Sequence, residues 1–243
     1  MNDHPAQPRA IRSYVLRAGR MTPAQQRALE AAWPRYGAVP DDLGDPVALF
    51  GRRAPLYLEI GIGNGDNLVA AAARERHANH LGCEVHRPGL GHALLQIERL
   101  ALDNVRLLGA DANDVLDALP AASLDGAAMY FPDPWPKKRH HKRRLLATPF
   151  LAALARCLKP SACFWFATDD ADYARQAAEL IDGAPGWRNL CGARAWAPRP
   201  HRRIVTRFEA RARRAGHVVY ELLAAPHAGE CARGAGATRP GKT

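Results

Sequence analysis

Residues 57–68 read YLEIGIGNGDNL, a stretch that predicts a strand, a tight glycine turn and the start of a helix. Leu58 to Ile60 are typical of the end of a buried strand, glycines then alternate with other residues, and a helix is predicted to begin at Asp66. Glycines at such a turn let the backbone bend sharply and approach a ligand at the carboxyl end of the strand. The stretch therefore predicts the first strand–turn–helix unit of a ligand-binding α/β fold.

The chain on either side of this unit alternates between strand and helix patterns. Strands are predicted at PLYLEIG, NHLGCEV, NVRLLGA, LDGAAMYF and ACFWFATD. Helices are predicted at DNLVAAAARER, PGLGHALLQIERLAL, ANDVLDAL, TPFLAALARCL and ADYARQAAELID. This alternation is typical of βαβ units and predicts a mostly parallel sheet with helices on both faces. Two late strands are expected at one edge, in WRNLCGARAW and VTRFEARAR.

An additional helix is predicted before the first strand. Thr22 is a suitable N-cap, Pro23 takes the first helical position, and Gln25 completes a capping box. This helix should end before Pro34, and the Pro/Asp/Gly-rich residues 37–53 are predicted to be a connector. We expect a disordered arm at residues 1–12, a helical extension and connector at 13–50, the α/β domain at 51–225 and a disordered tail at 226–243.

Composition points to a polyanionic partner. The 243 residues include 34 Lys and Arg against 24 Asp and Glu, a net charge of +10, and such an excess most often indicates nucleic acid. A merely solubilising surface is the alternative. The first ten residues lack the apolar core of a signal peptide, and no stretch approaches the ~18 apolar residues of a membrane span. No cysteine pair has CxxC spacing. We expect a cytoplasmic protein with no membrane contact and no metal.

Acidic residues occur at three successive strand ends. Glu59 lies inside the first strand end and Asp66 opens the following helix, where carboxylates would repel a pyrophosphate and suit a ligand that carries an amino group, such as S-adenosylmethionine. Glu84 follows the second strand and suits ribose hydroxyls, a feature that NAD and S-adenosylmethionine sites share. Asp111 follows the third strand and could accept from an adenine amino group. Each acid alone could be a surface turn residue.

The stretch FPDPWPKKRHHKRR, residues 131–144, follows the fourth strand of the α/β unit. Two prolines fix the backbone on either side of Asp133, so its carboxylate is held in one direction. Trp135 offers a flat face for stacking on a base. A rigid carboxylate beside an aromatic surface is what a base-modifying methyltransferase needs.

Six of the eight residues from Lys137 to Arg144 are Lys or Arg. The run is either a solvated loop or a phosphate-binding segment, and its position beside Asp133 favours the second. His140 and His141 are a poor metal pair, because adjacent side chains point apart and the cations oppose a metal.

A second basic stretch, RPHRRIVTRFEARARR, holds seven arginines and one acid, Glu209. That acid is either a salt-bridge partner or a ligand-binding group. The spacing from Thr206 to Glu209, at a strand end or turn, could direct both side chains at one ligand.

Taken together, these segments resemble the bacterial tRNA (guanine-N7)-methyltransferases over roughly residues 14 to 223. EIGIGNG, CEVHRPGLG, FPDPWPKKRHHKRR, ATDDADYA and TRFEARARRAGH occur in order, and the PDPW-to-basic block is the most specific of them. The resemblance implies a Rossmann-like class I methyltransferase fold with a mostly parallel seven-stranded sheet. It also implies S-adenosylmethionine as methyl donor and guanine 46 of the tRNA variable loop as acceptor.

The resemblance also implies roles for individual residues. The donor-binding positions are Glu59, Gly61, Gly63, Gly65, Glu84, Asp111 and Asp133, and Asp133 is also the catalytic position. The substrate-binding positions are Lys137, Asp169, Thr206, Arg207, Phe208 and Glu209. The positions tied to activity or tRNA contact are Arg20, Arg139, His140 and Arg143. The DDAD segment is more acidic than is usual in the family, so Asp169 and Asp170 compete for one role.

Other functions remain compatible with the residues. An NAD-linked reductase is disfavoured by the acids around the glycine turn. A non-catalytic RNA-binding protein on a methyltransferase scaffold and a methyltransferase of another RNA are the two alternatives to tRNA methylation. We expect a monomer or a weak homodimer.

Overall fold

The computed structural model describes residues 20–200 and 203–226. The arm expected at residues 1–12 lies outside the described residues, and so does the tail expected at 226–243 apart from Pro226. Within the described ranges, no helix has the length and apolar character needed to cross a membrane.

Eight strands of the described chain form one sheet. The strands are β1 (Gly37–Ala38), β2 (Leu56–Ile60), β3 (Asn79–Cys83), β4 (Val105–Leu108), β5 (Leu124–Tyr130), β6 (Leu158–Thr168), β7 (Trp187–Asn189) and β8 (Tyr220–Pro226). Their order in the sheet is β1-β4-β3-β2-β5-β6-β8-β7. The strands from β1 to β6 pair in parallel, and β8 is antiparallel to both β6 and β7.

Helices connect the strands. They are α1 (Pro23–Ala31), α2 (Trp33–Tyr36), α3 (Pro46–Phe50), α4 (Asp66–Arg74), α5 (Arg87–Arg99), α6 (Ala112–Ala118), α7 (Thr148–Cys157), α8 (Ala171–Gly183) and α9 (Arg207–Arg214). Two 3₁₀ segments cover Pro40–Gly44 and Lys138–Arg143. The predicted strand–helix alternation from β2 to α8 is confirmed, because each apolar strand pattern and each helical pattern forms the expected element.

Two hydrophobic cores lie against the sheet. One combines strand residues with buried side chains of α6, α7 and α8, and includes Phe150, Phe164 and Tyr173. The other combines α1, α4 and α5, and includes Leu68, Leu94 and Ile97. Helices on two sides therefore bury the sheet, as the alternation of strand and helix patterns predicted.

The sheet has eight strands instead of the expected seven, because Gly37 and Ala38 pair with Leu107 and Leu108 at its edge. The segment from 37 to 53 is also more regular than the predicted connector. Its prolines stand at helical first-turn positions, where the missing N–H is no loss, so Pro40 begins a 3₁₀ segment and Pro46 begins α3. Helix α1 has the predicted capping box, and Pro34 lies in the first turn of α2.

The prediction of a late strand at VTRFEARAR was wrong. Thr206 is the N-cap of helix α9, and its hydroxyl accepts from the backbone N–H of Glu209 at 3.3 Å. The Thr-x-x-Glu spacing is a helix-start signal, and Ala and Arg are strong helix formers, so the alternation of small and charged residues was misleading. Strand β8 lies further on, at Tyr220–Pro226, and the strand in WRNLCGARAW is limited to Trp187–Asn189, which forms one edge of the sheet.

Candidate active site

A cavity of about 700 Å³ opens at the carboxyl ends of β2, β3, β4 and β5. Parallel strands bring these ends to one edge of the sheet, which is where open α/β folds bind ligands. The predicted donor-site residues that line the cavity are Glu59, Gly61, Gly63, Glu84, Asp111 and Asp133. Trp135 and Thr206 line it as well. Residues that are far apart in the sequence are thus gathered around one space.

The glycine turn closes one end of the cavity. Gly61, Gly63 and Gly65 all have positive φ angles, of 70°, 56° and 78°, a conformation that residues with a side chain rarely adopt. A Cβ on Gly65 would lie 2.6 Å from that of Ala93 on α5. The absence of a side chain at Gly65 therefore permits α4 and α5 to pack closely, while Gly61 and Gly63 line the cavity.

Glu59 is the most buried acid of the cavity, with 8% of its surface exposed. Burial raises the pKa of its carboxyl group to about 7, against the opposing effects of the Asn67 hydrogen bond and the Arg203 charge. Asn67 donates to Glu59 Oε2 at 2.8 Å and accepts from the backbone N–H of Ile204 at 3.2 Å. Glu59 is thus a poorly solvated carboxyl group that a cationic ligand would hold in its ionised form.

Glu84 is fixed by the backbone around it. Its Oε2 accepts from Gly63 N at 2.8 Å, and its Oε1 accepts from Val85 N at 2.8 Å and His86 N at 2.9 Å. A carboxylate oxygen has two lone pairs, so Oε1 is fully occupied and Oε2 can accept one further hydrogen bond. Glu84 therefore ties the glycine turn to β3 while it faces the cavity.

Asp111 has a comparable double role. Its Oδ1 caps α6 by accepting from the backbone N–H of Asn113 at 2.8 Å. Such a cap satisfies an N–H at the start of the helix that would otherwise lack a partner. The structure thus fixes the Asp111 side chain at the cavity wall, where its sequence position predicted an adenine-binding group.

The loop after β5 carries Asp133 at the mouth of the cavity, where the residue is exposed. Phe131 and Trp135 flank it with φ angles of 53° and 47°, a left-handed conformation that is unusual for aromatic residues. The Phe131 N–H donates to Ala167 O on β6 at 2.7 Å. Backbone held in a rare conformation is frequent at functional sites, and this loop places Asp133 in the cavity lining.

Arg144 anchors this loop to α8. It is 3% exposed, its Nε donates to Pro134 O at 2.7 Å, and its guanidinium binds Asp172 at 2.8 Å and also Gln176. The same group lies 4.7 Å from the centre of the Tyr173 ring. Sequence reasoning counted Arg144 among the phosphate-binding cations. For Arg144 that prediction was wrong, because a buried cation with these partners holds the Asp133 loop in place.

The other basic residues of this segment divide into two groups. Lys137, Lys138, Arg139 and Lys142 are exposed. Arg143 lies 4.9 Å from the centre of the Trp135 ring, and His140 meets the same ring edge-on at 5.9 Å. Desolvation, together with the neighbouring cations, lowers the pKa of His140. The segment therefore presents exposed cations directly beside the cavity mouth.

The two histidines of this segment have separate surroundings. His140 packs on Trp135, whereas His141 lies 3.6 Å from the carboxylate of Asp172. Within the described residues, no group of three or more His, Cys, Asp or Glu side chains is arranged to hold a metal ion.

Asp169 and Asp170 can now be distinguished. Asp170 is the N-cap of α8, with Oδ1 accepting from Tyr173 N at 2.7 Å, and it lies 3.9 Å from Arg144. Among the described residues, Asp169 has one long side-chain contact, 3.4 Å, with the exposed His217. Asp169 is therefore less constrained than Asp170 by its neighbours in the described chain.

Glu209 lies in a buried ionic network. Its side chain is fully buried and binds Arg199, Arg203 and Arg213, and Arg203 also binds Glu221. The sequence left two roles open for Glu209, a salt-bridge partner or a ligand-binding group. Its three arginine partners make it a salt-bridge partner. Breaking such a buried cluster by removing one member is strongly destabilising. Arg203, which sequence reasoning did not single out, also lies over the rings of Tyr130 and Phe131, at 5.2 and 5.4 Å.

The remaining predicted residues lie further from the cavity or are less defined. Arg20 is the first described residue and is exposed, and the side chains of Arg207 and Phe208 are outside the described set. Asn67, Arg144 and Arg203 were missed because their roles depend on partners distant in the sequence. The partly buried hydrogen bond between Asn67 and Ile204, for example, spans 137 residues.

The strand order, the glycine turn and the acids at the strand ends define a Rossmann-like methyltransferase of class I. Two solved structures share the fold. The 16S rRNA methyltransferase KamB aligns over 86% of this chain and 95% of its own, with a TM-score of 0.52 and 15% identity. A variant of the 16S rRNA (adenine(1408)-N(1))-methyltransferase of Catenulisporales acidiphilia aligns over 77% and 90%, with a TM-score of 0.52 and 14% identity.

Sequence comparisons give the family. The model of the family described as "Putative methyltransferase" matches residues 53–222. The tRNA (guanine-N(7)-)-methyltransferase of Alkalilimnicola ehrlichii is 48% identical over 88% of this chain and 92% of its own length. That of Methylococcus capsulatus is 46% identical over 92% and 96%. The chain belongs to the tRNA (guanine-N7)-methyltransferase family.

Proposed function

We propose that this protein transfers a methyl group from S-adenosylmethionine to N7 of guanine 46 in the variable loop of tRNA. The observation that carries the proposal is the position of Asp133. This rigid carboxylate lines the same cavity as the acids at the strand ends, and exposed cations follow it directly in the chain. Family membership supports the reaction, and the position of the guanine follows from the resemblance to the bacterial enzymes.

The residues of the cavity fit S-adenosylmethionine, which supplies an activated methyl group on a sulfonium centre when bound. Glu59 is a desolvated carboxyl group beside the glycine turn, and it suits the amino group of the methionine portion. Glu84 retains acceptor capacity at Oε2 for a ribose hydroxyl, and Asp111 lies where the adenine amino group would be accepted. The acids at the glycine turn disfavour a pyrophosphate, which argues against NAD.

The chemistry requires alignment more than proton transfer. Guanine N7 has a free lone pair in the plane of the ring, so its attack on a methyl group removes no proton and needs no general base. The protein must hold the base in line with the methyl group, which is a proximity effect. Asp133 then stabilises the positive charge that develops on the purine, and its fixed loop makes that stabilisation preorganised. A metal has no step in this scheme.

The exposed cations beside Asp133 serve the tRNA. Lys137, Arg139 and Lys142 bind backbone phosphates near the target base, which offsets part of the few kcal/mol needed to unstack it. Asp169 accepts from the edge of the guanine. We place the enzyme in the cytoplasm, where tRNA is modified, and as a monomer or weak homodimer.

The test is methyl transfer from labelled S-adenosylmethionine to unmodified tRNA, followed by aniline cleavage at 7-methylguanosine. A single cleavage at position 46 is the expected result. Cleavage elsewhere would change the target, and methylation of ribosomal RNA alone would favour the other RNA methyltransferase. Tight tRNA binding without transfer would favour a non-catalytic RNA-binding protein.

A further inference from the structure

Trp196 and Tyr220 form an aromatic pair at the surface of the molecule. Trp196 is 40% exposed, and its ring centre lies 5.0 Å from that of Tyr220 at an angle of 61°. Val205 and Val218, from the same part of the chain, are 48% and 62% exposed. Exposed apolar side chains that concentrate in one segment indicate a binding surface more often than scattered ones do.

The aromatic pair is fixed at the edge of the sheet where the cavity opens. Tyr220 pairs with Thr168, the last residue of β6, and Asp169 follows directly. The chain next to Trp196 is attached to β8 because Ala197 N donates to Glu221 O at 2.8 Å. The pair therefore lies beside the loop that carries the predicted guanine-binding acid.

Buried contacts connect the pair to the cavity wall. The Glu221 carboxylate binds Arg203, and the Arg203 guanidinium lies 5.4 Å from the centre of the Phe131 ring, which lines the cavity. The position of the pair relative to the cavity is thus set by a packed ionic network and not by a free loop.

Exposed cations accompany the pair. Helix α9 begins after Thr206 at the cavity, exposes Arg211 and Arg214, and leads through His217 into β8. Aromatic faces interleaved with cations are the combination that binds unpaired nucleotides, because every base has a face that can stack and every phosphate has a charge. A polyanionic occupant fits this surface better than a second copy of a chain with a net charge of +10.

We propose that Trp196 and Tyr220 form a stacking site for an unpaired nucleotide of the RNA, adjacent to the guanine that enters the cavity. The proposal rests on the proposed function in taking tRNA as the RNA. The site would hold the strand on the far side of Asp169 from the basic segment that begins at Lys137. It would thereby help to keep the target base unstacked.

The experiment measures the affinity of the full chain for fluorescently labelled unmodified tRNA, with S-adenosylhomocysteine present, over a series of salt concentrations. Trp196→Ala should weaken binding about 5- to 100-fold, the range for one stacked base. The slope of log affinity against log salt should stay unchanged, because stacking releases no counterions. Trp196→Phe should keep most of the affinity, and Trp196→Leu should lose it despite its apolar bulk.

Leu100→Ala is the matched control, since Leu100 is an exposed apolar residue (37%) at the end of α5, and this change should have no effect. The proposal is overturned if Trp196→Leu binds tRNA like the wild type, or if the loss comes with a changed salt slope. A change of oligomeric state in sedimentation would instead assign the surface to contact between copies. If the wild type binds tRNA but transfers no methyl group, the proposed function is wrong and the stacking site is unaffected. If the wild type does not bind tRNA at all, both proposals are wrong.

Discussion

Arg144 stands in the sequence among six cations between residues 137 and 144, and nothing in that run distinguishes it from its neighbours. In the folded chain its partners Asp172 and Gln176 lie 28 and 32 residues further on. The role of Arg144 depends on burial and on these long-range contacts, so the local sequence could not predict it. The position of Asp133 in the cavity lining, by contrast, could be predicted, because it follows the fourth strand of the α/β unit and two adjacent prolines restrict it locally.

Arg144→Ala should lower the turnover number about 10- to 100-fold, because the Pro134 carbonyl loses its donor and the Asp133 carboxylate is no longer aligned. Affinity for S-adenosylhomocysteine should stay near that of the wild type, since Glu59, Glu84 and Asp111 keep their contacts. Arg156→Ala is the matched control. Arg156 also donates to backbone carbonyls, those of Leu116 and Leu119, but does not line the cavity. An Arg144→Ala enzyme with wild-type turnover would contradict the anchoring role.

Glu59 should make donor binding depend on pH. Burial raises its pKa to about 7, and a ligand with a cationic amino group binds the ionised form, so the bound enzyme has a lower pKa than the free enzyme. Affinity for S-adenosylhomocysteine should therefore increase as the pH rises toward about 7 and level off above it. Calorimetric titrations from pH 5.5 to about 8 test this. Glu59→Gln should bind more weakly and without this dependence, and an unchanged pH profile in that variant would exclude Glu59 as the cause.

Strands and helices could be predicted from the sequence only where their residue patterns are clear. Strands β2 to β6 have long apolar runs and helices with clear start signals between them, so their existence and order followed. Helix α9 was missed because Ala and Arg alternate in it, although Thr206 and Glu209 give the start signal of a helix. Strand β1 has only two residues, and its pairing with β4 is a tertiary contact without a local pattern.

The basic segment from Lys137 to Arg143 should act on tRNA and not on the donor. Arg139→Ala with Lys142→Ala should weaken tRNA binding and reduce the salt slope by about one to two units, since each phosphate contact contributes ~0.7–0.9. Arg53→Ala with Arg99→Ala removes two equally exposed cations that do not line the cavity, and should leave the slope unchanged. Equal slopes in the two double variants would show that the segment is only a solvated surface.

At the scale of the molecule, the parallel sheet explains why distant acids meet. Carboxyl ends of β2 to β5 share one edge, so Glu59, Glu84, Asp111 and Asp133 reach one cavity, and this gathering followed from the strand pattern alone. The packing of α9 and β8 against the end of β5 did not follow from that pattern. It depends on the buried network of Arg203, whose contacts join these elements and have no local sequence signal.

The measurement that tests the account most directly is single-turnover methylation of unmodified tRNA by the wild type and by Asp133→Asn, at saturating tRNA and S-adenosylmethionine. Asparagine keeps the shape of the side chain and removes its charge. We expect 7-methylguanosine at position 46 from the wild type and a rate lower by about 10²-fold or more from the variant, the size typical of one preorganised electrostatic group. Affinities for tRNA and S-adenosylhomocysteine should change far less. A variant that methylates at nearly the wild-type rate would contradict the role of Asp133 and leave Asp169 as the better candidate.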